Sequence, residues 1–306
     1  MKILLLGANG QVGFELARSL APLGELVCAT RGGKLPGGGP CVAADLGDAD
    51  SLAAALDSAQ ADLIVNAAAY TAVDRAEDEP QLAQRINAQA LVEIGAHAAL
   101  RNALVVHFST DYVFDGTGSR PYRENDATAP LGVYGNSKRD GENALRASGC
   151  DHLILRTAWV YAARGHNFLR TMLRLARERE ELRIVGDQRG APTPARLIST
   201  ATAAALARLL ARRVGERDKW LGTYHLCAAG QCTWFDFAGA IFARAQVAGL
   251  IERMPRLVPI STAEYPTPAR RPAYSVLDCS RIRDAFGLHL PHWRSGLDAV
   301  IGELAG

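Results

Sequence analysis

A doubly wound parallel α/β sheet with a smaller C-terminal region is the fold this sequence predicts, on three observations. Short apolar and β-branched runs alternate with helical patterns through the first half of the chain, the signature of a parallel sheet covered on both faces. A glycine-rich turn joins the first run to the first helical pattern. After about residue 160 the alternation gives way to less regular stretches rich in proline and arginine.

Taken in order, the runs predict strands at Lys2–Leu6, Leu26–Thr30, Cys41–Ala44, Leu63–Asn66, Leu104–Phe108 and His152–Arg156. Helical spacing predicts helices near Gln11–Leu20, Ser51–Ala59, Pro80–Leu100, Tyr134–Ala147, Phe168–Glu180 and Ala195–Arg213, the last ending in arginines that suit a helix C-terminus. Residues Gly32–Pro40 hold too much glycine and proline for either element and must be a loop, and Leu257–Pro272 reads as connecting loops. The expected first unit is 1–156, rejoined by roughly 195–226, with 157–194 and 227–306 forming the second.

Composition narrows the classes. At 306 residues, 48% hydrophobic and 22% charged, the chain falls in the ordinary globular range. A formal net charge of +2 gives no reason to expect a nucleic-acid or anionic-membrane partner. The apolar run at Ile3–Leu6 stops at Gly7, too soon for a signal peptide, and no run approaches membrane-spanning length, so a cytoplasmic location is expected. Six scattered cysteines lack metal-like spacing and read as isolated reduced thiols.

The turn is Gly7-Ala-Asn9-Gly10-Gln11-Val12-Gly13. Glycine there lets the backbone approach a pyrophosphate, and the following helix N-terminus offers unpaired N–H groups, which points to a Rossmann-type nicotinamide dinucleotide site. The second strand ends in Thr30-Arg31, without the carboxylate that would hold free ribose hydroxyls. An arginine there favours a 2′-phosphate and hence NADPH, with NADH possible. Asp45 and Leu46 would border the adenine, while Ala67, Ala68 and Ala69, followed by Tyr70 and Thr71, leave room for the cofactor at the sheet's carboxyl edge.

Two further features carry chemistry. Ser109-Thr110-Asp111 follows the fifth predicted strand, and Tyr134-Gly-Asn-Ser-Lys138 opens a helix. The i,i+4 spacing puts phenol and ammonium on one helix face. The ammonium is expected to lower the phenol's pKa from about 10, so that Tyr134 protonates a carbonyl oxygen held by Thr110 while the nicotinamide supplies hydride. Read alone, Tyr-x-x-x-Lys is more often an exposed helix face. Only four lysines occur in the chain, and the glycine turn and Thr110 stand with the pair, so together they read as an active site.

These features resemble the extended short-chain dehydrogenase/reductase superfamily. The segments Asn66–Glu77, Ser109–Gly116, Arg156–Tyr161, Asp187–Thr193 and Tyr265–Pro272 narrow the resemblance to the dTDP-4-dehydrorhamnose reductase family over nearly the whole chain. That resemblance implies reduction of the C4 keto group of dTDP-6-deoxy-L-lyxo-4-hexulose to dTDP-L-rhamnose, with a Rossmann domain and a C-terminal substrate-binding domain. It implies Thr110, Tyr134 and Lys138 as catalytic residues, with Lys138 also binding the nicotinamide ribose. Val73, Thr110, Asp111 and Trp159 would meet the sugar, and Arg270 or Arg271 the diphosphate. Some relatives bind magnesium through glutamates at a dimer interface. Arg196 and Arg294 stand at two of those positions and only Glu15 keeps a carboxylate, so no metal is expected, and the chain is read as a monomer or weak homodimer. The alternatives are another nucleotide-sugar epimerase or dehydratase of this fold, and a non-catalytic subunit like those that partner methionine adenosyltransferase.

Overall fold

A computed structural model describes the whole chain, Met1–Gly306, apart from the side chain of Val214. Seven parallel strands form the main sheet: β1 (Lys2–Leu6), β2 (Glu25–Thr30), β3 (Val42–Ala43), β4 (Leu63–Asn66), β5 (Leu104–Thr110), β6 (His152–Thr157) and β7 (Gly222–His225). Their spatial order is β7-β6-β5-β4-β1-β2-β3, the doubly wound arrangement with its switch point between β1 and β4.

Burial explains the runs. Ile3, Leu4, Leu5 and Leu6 are all fully buried because both faces of β1 are covered. Ile3 and Leu5 pack with Leu16, Leu20, Ile198 and Leu206 on one face, and Leu4 and Leu6 with Leu52, Leu56, Leu91 and Ile94 on the other. Each such side chain contributes about 1.5–3 kcal/mol by leaving water. The Ala49–Ala59 helix starts where the Asp48 carboxylate accepts from the amides of Asp50 and Ser51 at 3.0 and 3.4 Å.

The chain crosses back after its first six strands. The Ala195–Leu210 helix packs against the Gln11–Leu20 helix, and β7 then pairs with β6 at the sheet edge. A separate apolar cluster, with Phe237, Phe242, Trp293 and Leu169 at its centre, holds the helices Phe168–Glu178, Trp234–Val247 and Trp293–Ala305 together.

Four details depart from the sequence expectation. The third strand shrinks to two residues, β5 runs on to Thr110, and Pro80–Arg101 is interrupted by a π-helical turn at Arg85–Gln89. Within the segment read as loops from Leu257, residues Arg256–Ile260 form a strand parallel to Glu181–Val185; the run Leu257-Val258-Pro259-Ile260 is apolar, and in a two-stranded sheet both strands are edges, where a proline is tolerated. No helix among the described residues is long and apolar enough to cross a membrane.

A buried ion pair joins the Val133–Ala147 helix to β6. Arg156, 2% exposed, donates from Nε and Nη2 to the Glu142 carboxylate at 2.8 and 2.6 Å. Burial alone would raise the Glu142 carboxyl, but the bonds and charge of Arg156, with Ser109 and Arg146, hold it below its ordinary value. Its stabilising contribution is therefore present above the unfolded carboxyl's pKa and lost as pH falls through the folded one. Replacing Glu142 by Ala strands the guanidinium and should cost about 3–5 kcal/mol, read as a lower urea midpoint at pH 7.

Candidate active site

The carboxyl ends of the strands and the loops after them enclose a cavity of about 790 Å³. Strand register aligns Leu6 with Asn66 and Asn66 with His107, and β5 continues three residues beyond that row, carrying Thr110 into the cavity. At one end the cavity meets the first turn. Gly7 has φ +78°, and a Cβ on it would lie 2.7 Å from the Ala68 amide nitrogen, so only glycine fits. The Gln11–Leu20 helix has no side-chain cap at Gly10 and no acidic residue in its first turn, leaving its first amides free to meet an anion. This cradle fits the pyrophosphate of a dinucleotide.

Of the residues expected at the cofactor, Gly7, Asn9, Gly10, Gln11, Val12, Arg31, Asp45, Leu46, Ala67, Ala68, Ala69 and Thr71 line the cavity. Three do not. Gly13 lies behind the turn, where a Cβ would overlap the Gly7 carbonyl, and its role is close packing. The Thr30 hydroxyl is spent on Lys34, donating to its carbonyl and accepting from its amide at 3.1 Å. Tyr70 is buried, its phenol donating to Glu79 at 2.6 Å and its amide to Asn87 at 2.9 Å.

At the other end stand Val73, Thr110, Asp111, Tyr134, Lys138 and Trp159, all on the cavity wall. Asp111 is 1% exposed, and its Oδ1 accepts from the Thr110 hydroxyl at 3.0 Å, while Oδ2 has no partner. Burial, opposed by the hydroxyls of Ser275 and Thr110 and by nearby amides, pushes its carboxyl up to about 6. Tyr134 meets Tyr112 edge-on at 5.6 Å. Burial, opposed by the Thr110 hydroxyl and reinforced by the Asp111 charge, raises the Tyr134 phenol to about 12.

That corrects one expectation. Burial, and not the charge of Lys138, sets the direction for the phenol, and Lys138 Nζ is engaged by β5, donating to the Phe108 carbonyl at 2.7 Å and lying 3.1 Å from His107 Nε2. Burial, opposed by Glu142, brings Lys138 itself down to about 7.

Trp159 sits in the left-handed region at φ +49°, a strained conformation for a bulky residue. Its ring stacks on Trp234 with centroids 3.5 Å apart and 5° between planes. Trp234 is in turn fixed by donating from Nε1 to Gln188 at 3.2 Å.

The expected diphosphate arginines lie off the cavity wall. Arg270 is exposed, whereas Arg271 donates to Asp74 at 2.7 Å and to the Thr267 hydroxyl, tying the Thr267–Arg271 stretch beside Val73. The sequence reading missed Tyr112, Ile86, Gly165 and His166, which also line the cavity. Gly165 and His166 come from a loop after Tyr161 that reaches back to the glycine turn, where Asn167 donates to Gln11 at 2.8 Å. Nothing local in the sequence marks that contact, which spans 156 positions.

Glu15, buried, faces the Arg196 guanidinium at 3.5 Å, and Arg196 also reaches Glu303 at 2.7 Å. Arg294 stacks over the Trp293 ring at 4.5 Å. No group of three His, Cys, Asp or Glu able to hold a metal occurs among the described residues. All six cysteines are free, but Cys227 and Cys279 are neighbours rather than isolated, the Cys227 amide donating to Cys279 Sγ at 3.3 Å.

Comparison with known proteins decides the family. A family model described as the RmlD substrate binding domain matches residues 1–305. A dTDP-4-dehydrorhamnose reductase of Burkholderia thailandensis is 49% identical over 306 residues, 99% of each chain. The chain belongs to the dTDP-4-dehydrorhamnose reductase family. A crystal structure of such a reductase from Clostridium acetobutylicum superposes with a TM-score of 0.86 at 32% identity, covering 100% of both chains. Another, from Bacillus anthracis in complex with NADP, does so with a TM-score of 0.85 at 32% identity, covering 99% of this chain and 100% of that one.

The stacked indoles yield a test. A Cβ on Gly190 would drive into the Trp159 ring, so Gly190→Ala should break the Trp159–Trp234 stack. The expected result is loss of the indole exciton couplet in circular dichroism with the main sheet's far-ultraviolet signal kept.

Proposed function

We propose that this chain reduces the C4 keto group of dTDP-4-dehydro-L-rhamnose (dTDP-6-deoxy-L-lyxo-4-hexulose) to dTDP-L-rhamnose with NADPH as reductant, in a Rossmann domain joined to a nucleotide-sugar domain. The observation that carries the reading is the continuity of one cavity from the free amides of the Gln11–Leu20 helix to Thr110, Asp111, Tyr134 and Trp159. The name borne by the relative from Burkholderia thailandensis, dTDP-4-dehydrorhamnose reductase, and the NADP in the Bacillus anthracis structure agree with it.

The nicotinamide, when bound, supplies the hydride. The chain's own residues do the rest. The Thr110 hydroxyl and the Tyr134 phenol flank the place where a ketone oxygen would sit, and a phenol raised to about 12 stays protonated at neutral pH. It is therefore present in the proton-donating form, and the alkoxide that develops on the sugar as hydride arrives is the base that takes the proton. The unpartnered Asp111 Oδ2 offers an acceptor to a sugar hydroxyl, and the Trp159 indole offers apolar surface to a sugar ring. Arg31 on the cavity wall is the candidate for the 2′-phosphate, which favours NADPH over NADH.

Two measurements test this. With the keto sugar nucleotide generated from dTDP-glucose, Tyr134→Phe should lower kcat by about 10²–10⁴-fold while retaining NADPH binding. Turnover of that variant at the parental rate would overturn the mechanism. Arg31→Ala should raise KM for NADPH by about tenfold or more and leave that for NADH little changed, since a charge-assisted bond contributes roughly 1.5–3 kcal/mol.

A further inference from the structure

Beside the glycine turn lies a contact, between Gln11 and the loop Ala162–His166, that the reaction as described leaves unused. Gly165 and His166 of this loop stand on the wall of the cavity that the turn also lines. Gly165 has φ +70°, and a Cβ on it would lie 3.0 Å from Gln11 Cγ, so the loop backbone comes against the first residue of the Gln11–Leu20 helix. Arg164 lies over the Phe14 ring of the same helix at 3.2 Å and faces Glu303 at 3.8 Å. The loop then runs into the Phe168–Glu178 helix of the second apolar cluster, with Asn167 as the N-cap.

Asn167 is buried, and every polar atom of its side chain is engaged. Oδ1 accepts from the Arg170 amide at 3.1 Å, which caps the helix and fixes which way the side-chain amide points. Nδ2 then faces three oxygens: Gln11 Oε1 at 2.8 Å, the Ala162 carbonyl at 2.9 Å and the Arg164 carbonyl at 3.0 Å. An NH₂ group has two hydrogens, so three acceptors compete for them. The two carbonyls belong to the loop itself and stay with Asn167. The bond to Gln11 is the one that can open without the loop losing its shape. Gln11's other bond, from Nε2 to the His166 carbonyl, is long at 3.5 Å.

We propose that Asn167 is a positioning residue for the dinucleotide, acting through Gln11 to latch the Ala162–His166 loop beside the glycine turn, and that a bound pyrophosphate tightens this latch. A phosphate oxygen is a stronger acceptor for Gln11 Nε2 than a neutral carbonyl at 3.5 Å, because the bond to it is charge-assisted. Nε2 exchanges the His166 carbonyl for the phosphate, while Oε1 of the same amide stays on Asn167. An amide whose N–H meets an anion also presents a more negative oxygen, which gives Gln11 a larger share of the two Asn167 hydrogens. Loop and cofactor then hold each other in place, and release of the dinucleotide waits for the latch to open. The inference rests on a dinucleotide bound at the glycine turn and not on which sugar is reduced.

The test uses the full chain and NADP⁺ alone. Trypsin can cut between Arg164 and the exposed Gly165. NADP⁺ should slow that cut, read by mass spectrometry against the cut after the exposed Arg253, which is off the cavity wall. It should not do so in Asn167→Ser, whose hydroxyl still caps the helix but is too short to reach Gln11. Asn167→Ser should also speed NADP⁺ release in stopped flow by about three- to tenfold, the weight of one net hydrogen bond. In the Gln11→Ala background the same change should alter release by less than about twofold. A purely structural role for Asn167 would cost as much in either background, and that result would overturn the proposal. So would equal protection by NADP⁺ in the wild type and Asn167→Ser. If Asn167→Ser does not fold, Gln11→Ala alone decides: it should lose the protection, and protection kept would sink the latch. A wild-type chain that binds NADP⁺ without protection overturns the latch alone, whereas one that does not bind NADP⁺ overturns the cofactor site with it.

Discussion

The site depends on how closely one polar helix face is pressed into the protein. The Val133–Ala147 helix lies so near its neighbours that a Cβ on Gly141 would overlap the Asn87 carbonyl and one on Gly135 the Tyr112 carbonyl. The face it buries carries Ser137, Lys138 and Glu142, each at most 1% exposed. A buried polar group without a partner costs about 1–3 kcal/mol, and a buried charge more, so this contact holds only where every group is answered. Asn87 donates to Ser137, Phe108 and His107 meet Lys138, and Arg156 meets Glu142.

The same burial sets the proton chemistry. It raises the phenol of Tyr134 and lowers the ammonium of Lys138, moving an acid and its neighbour in opposite directions without a direct bond between them. With Tyr134 as the proposed donor, the raised value keeps the phenol protonated at neutral pH.

The sugar end is assembled differently. Trp159 is strained in its backbone and held by a stack on Trp234 and by the absence of a side chain at Gly190. Arg271 joins Asp74 across the chain, bringing the Thr267–Arg271 stretch against the short helix Val73–Ala76. These contacts are long-range, so this end of the cavity is set by elements remote in sequence from β5 and the Val133–Ala147 helix, which carry Thr110 and Tyr134.

The sequence by itself determined the parallel sheet, the glycine turn and the pairing of Thr110 with Tyr134 and Lys138, because each is local. A buried strand, a turn that excludes Cβ atoms and an i,i+4 helix pair write their requirements into neighbouring residues. It also led to the family, since motifs such as Asp187–Thr193 and Tyr265–Pro272 survive as short strings. The strand at Arg256–Ile260, the loop bringing His166 to the glycine turn, the engagement of Arg271 by Asp74 and the direction of the Tyr134 shift were decided only by the tertiary structure. Pairing partners, burial and the identity of the nearest charge are properties of space. No spacing along the chain could show that Lys138, one turn from Tyr134, is held by His107 and Phe108 instead.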